Sequence, residues 1–220
     1  MISSRVSGLL GEEKLAGRTD SYLGEVGEIS RKLDRSAIDR SIAILYEAWK
    51  NDNQVFVIGN GGSASTSTHF ACDLDKWVSD KASRKFRAFS LVDNIPMVSA
   101  LTNDNGWSDI YYEQLRNFFR KGDVLVAISV HGGSGSDKAG PWSQNLLKAV
   151  KYAKDNGGKV LGLAGFDGGV LRTASDACII VPAESTPHVE GMHLVLTHLM
   201  CEQLREMISD EKGTPKKSSY

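Results

Sequence analysis

A change of hydrophobic pattern near residue 52 restricts the folds open to this chain. Beyond it, short apolar or β-branched runs alternate with stretches of helical character, and the runs cover residues 55–58, 86–91, 124–128, 160–163 and 177–181. Strands that are buried on both faces read as continuous apolar runs, and their alternation with helices is typical of a parallel sheet. The sequence therefore predicts an α/β fold with helices on both faces of a parallel sheet.

Helices are predicted at both ends of this region. Before residue 52, apolar residues recur at three- to five-residue intervals, which indicates two amphipathic helices that break near residues 34–36. A final helix is predicted over residues 187–208, and its expected buried side chains are Val189, Met192, Leu196, Leu199, Leu204 and Met207. We expect one domain over residues 20–210. A flexible arm, residues 1–19, and a flexible tail, residues 211–220, are expected to flank it.

The composition excludes several classes of function. The chain has 220 residues, of which 41% are apolar, and 26 Lys and Arg balance 27 Asp and Glu, for a net charge of -1. Such a balance argues against nucleic-acid and membrane partners, and no apolar run approaches the ~20 residues of a membrane span. A cytoplasmic location is expected. Cys72, Cys178 and Cys201 lack the paired spacing of a zinc or redox motif, so they are predicted to be buried free thiols.

Two loops of small residues follow predicted strands. The first passes from strand to helix through Asn60, Gly61, Gly62 and Ser63, and the second covers residues 129–136. Glycines allow a ligand to approach the backbone, and helix-start amides with serine hydroxyls can donate to an anion. A glycine-rich turn without a ligand is the alternative for either loop alone. Loops after the carboxyl ends of parallel strands converge, however, so together they predict a phosphate site. Neither is a nucleotide motif, and no nucleotide cofactor is expected.

Imidazole and carboxylate groups cluster on two predicted helices. His69 and Asp73 are four residues apart and share a helical face, and the last helix carries Glu190, His193 and His198. A lone histidine on such a helix is commonly a hydrogen-bonded boundary residue. A base with a nearby proton-transferring acid is what aldose-ketose interconversion requires, so these groups are candidates for that chemistry.

Several motifs in order resemble those of the sugar isomerase (SIS) domain family, and within it the phosphoheptose isomerases. They are Gly-Asn-Gly-Gly-Ser-Ala at residues 59–64, His-Phe-Ala at 69–71, Asn-Asp-Asn-Gly at 103–106, Gly-Asp-Val-Leu at 122–125 and the segment 190–198. The resemblance covers about residues 22–208. It implies a five-stranded parallel sheet, a homotetramer with active sites at subunit interfaces, and conversion of sedoheptulose 7-phosphate to D-glycero-D-manno-heptose 7-phosphate for lipopolysaccharide or capsule.

The resemblance also implies roles for individual residues. It makes Asp73 the catalytic base, where the family has Glu, and His198 the acid. One Zn²⁺ per subunit would be bound by His69, Asp73, Glu190 and His198, with Glu190 at a family Gln position. The implied substrate- and phosphate-binding residues are Asn60, Gly61, Gly62, Ser63, Asp93, Asn94, Ser129, Val130, His131, Ser134, Ser143 and Glu190.

Departures from the family pattern leave alternatives open. Val130 and His131 replace family phosphate ligands, and residues 134–142 align as an insertion that we predict to form a flap over the pocket. These changes allow a different sugar phosphate as substrate. Asp73 in place of Glu also allows a non-catalytic protein of the same fold that binds a sugar phosphate for regulation.

Overall fold

A single parallel sheet organises the molecule. The computed structural model describes residues 12–80, 84–133 and 143–210. Within these ranges five strands pair in the order β2, β1, β3, β4, β5. The strands are β1 (Gln54–Gly59), β2 (Arg87–Ser90), β3 (Val124–Ile128), β4 (Lys159–Gly165) and β5 (Ala177–Val181). All pairs are parallel. The predicted α/β fold is confirmed, and every predicted strand lies within two residues of its observed bounds.

Helices cover both faces of the sheet. They are α1 (Glu12–Lys32), α2 (Arg35–Lys50), α3 (Gly62–Cys72), α4 (Ile95–Asp104), α5 (Ile110–Phe118), α6 (Gln144–Asp155), α7 (Leu171–Ala174) and α8 (Thr186–Asp210). One apolar core lies between the sheet and α1, α2, α3 and α8, and a second lies beneath α5, α6 and α7. No helix in the described ranges is long and apolar enough to cross a bilayer.

The sheet register brings the carboxyl ends of β1 and β3 together. Gly59, the last residue of β1, lies opposite Ile128, the last residue of β3. At the other end Asp123 is buried, and its carboxylate accepts the backbone N–H groups of Gln54 and Arg120, both at 2.8 Å. This aspartate therefore ties β1 to the start of β3, and the motif at 122–125 has a structural role.

The helices bear on several sequence expectations. Helix α1 begins at Glu12 and so includes residues 12–19 of the predicted arm, and residues 17–22 are exposed. The predicted break is confirmed, because Asp34 caps α2 by accepting from Ser36 and Ala37 backbone N–H groups. On α8 the expectation for Leu199 was wrong. Its side chain is 37% exposed, since the buried stripe runs through Met192, Leu196, Met200 and Leu204 instead.

The cysteines are only partly as predicted. All three are free thiols, but only Cys201 is buried. Cys178 is half-buried, and Cys72 is exposed because it ends α3 on the solvent side. The expectation that all three are buried was therefore wrong for two of them.

His193 makes the stability of the fold depend on pH. It is buried on α8, and neither ring nitrogen makes a hydrogen bond of good geometry within the described part of the chain. Burial lowers the pKa of His193 to about 4, and the nearby Ala164 carbonyl opposes this shift only in part. The unfolded chain takes up this proton near pH 6.5, before the folded chain does.

We therefore expect the free energy of unfolding to be fully retained above pH 6.5 and to fall by about 3 kcal/mol as pH drops toward 4. Urea titrations at several pH values measure it. His193→Phe, which cannot titrate, should show a shallower fall over this range. An equal pH dependence in the variant and the parent would show that His193 is not responsible.

Candidate active site

The first loop connects β1 to α3 through glycines. Gly61 precedes α3 at φ +59°, and no described side chain caps the first turn of the helix. Gly59 is required for packing, because a Cβ there would lie 2.5 Å from the Ser63 carbonyl oxygen. Gly61 and Gly62 are exposed, whereas Ser63 is buried. The loop thus presents a helix start without a side-chain cap, which is a favourable place for an anion, although the Glu190 carboxylate lies beside Gly62.

The second loop lies beside the first, after β3. The Ser129 backbone N–H donates to the Leu163 carbonyl at 3.0 Å, and its hydroxyl accepts from Gly133 N–H at 3.0 Å. The Val130 carbonyl accepts from Gly165 N–H at 2.9 Å, so this residue is also tied to β4. The expected adjacency of the two loops is confirmed, because β1 and β3 are neighbours in the sheet.

A third loop, after β4, was missed by the sequence analysis. It covers residues 166–169 and packs directly on the second loop, where the His131 ring contacts the Phe166 ring with centroids 4.3 Å apart. Gly132 has φ +64°, and a Cβ there would lie 1.9 Å from the Gly168 carbonyl oxygen. The Gly168-Gly169 pair was the available signal, because successive glycines after a strand indicate close backbone packing.

The remaining predicted ligand residues lie around the same edge of the sheet. The Asp93 carboxylate accepts from the Thr68 hydroxyl at 2.6 Å, and the Asn94 side chain caps α4 by accepting from Met97 N–H at 3.1 Å. Ser143 immediately precedes α6 and makes no capping hydrogen bond. Ser134 and the predicted flap of residues 134–142 lie outside the described residues.

His69, Asp73 and His198 are in contact. The Nε2 atoms of His69 and His198 are 2.9 Å apart, and the Asp73 Oδ2 atom lies 3.2 Å from the first and 3.5 Å from the second. His69 and Asp73 meet because they are one helical turn apart, whereas His198 arrives from α8, 129 residues further along the chain. The two predicted helices therefore do bring a carboxylate and two imidazoles together.

This His-Asp-His group is accessible and sits at an irregular point of the backbone. Asp73 is the first residue of a π-helical turn, Asp73–Val78, that continues α3. Such turns inside helices are frequent at functional sites. An open groove of about 560 Å³ is lined by Asp73, Trp77, His198, Leu199 and Glu202. The exposure of Leu199, which was unexpected, makes it part of this groove.

The three donor atoms are suited to a metal ion. Both imidazole nitrogens and one carboxylate oxygen lie within 4.8 Å of one another. Zinc bonds of about 2.0–2.2 Å in tetrahedral geometry place donors roughly 3.3–3.6 Å apart, and the observed separations of 2.9 to 3.5 Å are close to this range. The His69-Asp73-His198 group could therefore hold a divalent ion.

Glu190 does not join this group. A Cβ at Gly62 would lie 2.5 Å from Glu190 Oε1, so its carboxylate packs against the start of α3. Helices α3 and α8 thus run side by side, with Glu190 beside the first loop and His198 beside His69. The structure brings together three of the four ligands implied by the resemblance and places the fourth next to the candidate phosphate loop.

Comparison with known proteins identifies the family and the fold of the chain. The SIS domain model matches residues 21–165, and the chain belongs to the SIS domain family. It is homologous to phosphoheptose isomerases. That of Helicobacter pylori strain Shi470 is 35% identical over 198 residues, which cover 90% of this chain and 94% of the relative. Lincomycin biosynthesis protein LmbN of Streptomyces lincolnensis is 34% identical over 204 residues, covering 91% and 73%.

A solved structure agrees in fold with these sequence relatives. Phosphoheptose isomerase GmhA from Neisseria gonorrhoeae superimposes with a TM-score of 0.76 at 27% identity, over 87% of this chain and 99% of that one. The match confirms the sheet, the N-terminal helices and the long C-terminal helix that the resemblance implied.

Proposed function

We propose that this chain is an aldose-ketose isomerase that acts on a phosphorylated sugar, with sedoheptulose 7-phosphate as substrate and D-glycero-D-manno-heptose 7-phosphate as product. The observation that carries the proposal is the contact of Asp73 with His69 and His198 in an open groove. Homology to phosphoheptose isomerases over most of the chain supports assigning this reaction to the group.

The group supplies the two functions that isomerisation needs. The Asp73 carboxylate removes a proton from C1 of the ketose, and the electron pair forms an enediol across C1 and C2. His198 moves a proton between the oxygens on these carbons, and C2 then takes up a proton to give the aldose. His69 contacts both groups, which fixes their relative orientation. General acid-base catalysis of this kind contributes about 10²- to 10⁴-fold in rate.

The phosphoryl group is bound at the first and second loops, in this proposal through Ser63, Ser129 and Ser143. His69 lies seven residues beyond Gly62, which corresponds to a rise of about 10 Å along α3. This distance is comparable to the length of an extended seven-carbon sugar phosphate. A phosphate held at the loops would therefore direct the reacting carbons along the α3–α8 seam toward the His-Asp-His group, and remote binding would position the reaction.

Zinc fits the same group as a cofactor, with one ion per chain held by His69, Asp73 and His198. When bound, it would polarise the sugar carbonyl and stabilise negative charge on oxygen. Glu190 is not in contact with the three, so we propose that it faces the sugar from the loop side rather than serving as an essential ligand.

We expect the purified protein to bind one equivalent of Zn²⁺ and His69→Ala to lose most of this affinity, because the variant retains only two of three contacting donors. Titration calorimetry with zinc alone measures it. Glu190→Gln serves as the matched control and should bind as the parent does. Equal zinc affinity in His69→Ala would contradict this site.

Assembly into a homotetramer with active sites at subunit interfaces is also proposed. Helix α4 is consistent with it, because none of its residues is buried and Ile95 is 66% exposed, whereas Val98 and Leu101 pack in part against the second core. Exposed apolar side chains can contribute to association surfaces. Sedimentation equilibrium should give four chains per particle, and a monomer at micromolar concentration would refute the assembly.

The function is tested by incubating the protein with ketose phosphates of different chain length and following aldose formation by NMR. Sedoheptulose 7-phosphate should be the best substrate. Because LmbN is as similar to this chain as the phosphoheptose isomerases are, the panel must include other sugars. If only another ketose phosphate is converted, that sugar is the substrate instead. No turnover of any, with or without zinc, would refute the isomerase.

A further inference from the structure

An amide pair links the two candidate phosphate loops. Asn60 begins the first loop, and Asn145 lies in the first turn of α6, the helix that follows the second loop. Asn145 Nδ2 donates to Asn60 Oδ1 at 2.8 Å, and Asn60 Nδ2 donates back to Asn145 Oδ1 at 3.1 Å. Asn145 is completely buried. A buried amide must be hydrogen-bonded, and here the partner is a second amide 85 residues away.

The orientation of this pair is determined by the backbone. The Leu146 N–H donates to Asn145 Oδ1 at 2.8 Å. Because a backbone N–H can only donate, the atom facing it must be the amide oxygen, and Asn145 Nδ2 must then face Asn60. Asn60 therefore presents its own oxygen to Asn145.

Tyr111 adds a third group. Its hydroxyl donates to the Gly59 carbonyl at 2.5 Å and lies 3.1 Å from Asn60 Oδ1. Tyr111 is 1% exposed, and burial raises its pKa, so the phenol keeps its proton. The phenol has one proton, so it can donate to the Gly59 carbonyl or to Asn60 Oδ1 but not to both at once, and its shorter contact is with Gly59. Asn60 Oδ1 therefore accepts from Asn145 Nδ2 and lies in contact with the Tyr111 hydroxyl, which links the end of β1 to the amide pair.

We propose that Tyr111 and Asn145 are positioning residues, which act through Asn60 to hold the starts of α3 and α6 at the separation that a phosphoryl group requires. The inference rests on the proposed function. It adds a structural role to the one that the family resemblance implied for Asn60, because this side chain would also join the loops. Preorganised donors bind an anion without a reorganisation cost, and a loosened pair of helix starts would lose that advantage.

The first test uses Asn145→Ala and Tyr111→Phe. Each should raise the Kd for inorganic phosphate, measured by calorimetry, and the KM for the sugar phosphate about tenfold, with kcat little changed. Gln114→Ala is the matched control. Gln114 is buried on the same helix as Tyr111 and donates to the Leu91 and Ile110 carbonyls, so its loss should lower Tm without changing phosphate binding. Tyr111→Phe removes a single hydroxyl and carries the test if Asn145→Ala does not fold.

A double-mutant cycle tests whether Asn145 acts through the Asn60–Asn145 amide pair. If Asn145 acts through Asn60, Asn60→Ala with Asn145→Ala should raise KM no more than the worse single variant does. Effects that multiply would mean that Asn145 does not act through Asn60 and would overturn the proposal, as would unchanged phosphate affinity in both Asn145→Ala and Tyr111→Phe. A parent protein that neither binds phosphate nor converts any ketose phosphate would instead refute the proposed function.

Discussion

Asp73→Asn should lower kcat about a thousandfold while leaving phosphate affinity and stability close to those of the parent. The amide keeps the size of the side chain but cannot take up a proton from carbon. Asp73 contacts only half-exposed histidines, so the ion pairs contribute little to folding, typically less than ~1 kcal/mol. Steady-state kinetics with the best ketose phosphate, together with the Kd for inorganic phosphate, separate loss of catalysis from loss of binding.

Two further variants test whether the loss of kcat is specific to the carboxylate of Asp73. Asp75 lies two residues further along the same π-helical turn, and its carboxylate accepts from Ala88 N–H at 2.8 Å. Asp75→Asn should therefore weaken the fold slightly and leave kcat within a small factor. Asp73→Glu restores the residue type of the family and should keep substantial turnover. A fully active Asp73→Asn would exclude Asp73 as the base.

Gly132→Ala should produce the largest loss of stability, about 4 kcal/mol or more. Two costs add at this position. An L-residue at φ +64° is strained, and the new Cβ would lie 1.9 Å from the Gly168 carbonyl oxygen and 2.4 Å from its carbon, which are backbone atoms with no alternative rotamer. The second and third loops would have to separate. Urea denaturation measures the change in the free energy of unfolding. If the variant yields no folded protein, the loss of stability is larger still.

Gly61→Ala is the matched control for backbone strain alone. Gly61 has φ +59°, nearly the same as Gly132, but no atom lies within 4 Å of a Cβ placed there. It should cost only about 1–2 kcal/mol. Equal losses in both variants would show that the close packing of Gly132 on Gly168 does not contribute.

Much of this fold could be predicted from local pattern. Apolar runs located the central strands β1, β3 and β4 because strands buried on both faces have few polar positions to obscure them. Adjacency of the loops after β1 and β3 followed from parallel topology. Leu199 was misplaced because α8 is apolar on more than one side, so spacing alone could not decide which residues face the core and which line the groove.

The site was predicted less completely because its contacts are distant in sequence. Periodicity placed His69 and Asp73 on one face, but only the packing of α3 against α8 brings His198 to them. The same packing puts Glu190 at Gly62 and away from the metal ligands that the resemblance implied. Tyr111 and Asn145 belong to no recognisable motif. The contacts of residues 166–169 with the second loop likewise depend on which strands are neighbours.

Isomerisation in D₂O examines the proposed chemistry most directly. With sedoheptulose 7-phosphate and the parent protein, NMR should show an aldose 7-phosphate that carries deuterium at C2, since the enediol takes up its new proton from a group in exchange with solvent. Asp73→Asn should show neither conversion nor deuterium uptake at C1 of the ketose. If the parent leaves every ketose phosphate unconverted and free of deuterium, with zinc present or absent, the chain is not an isomerase.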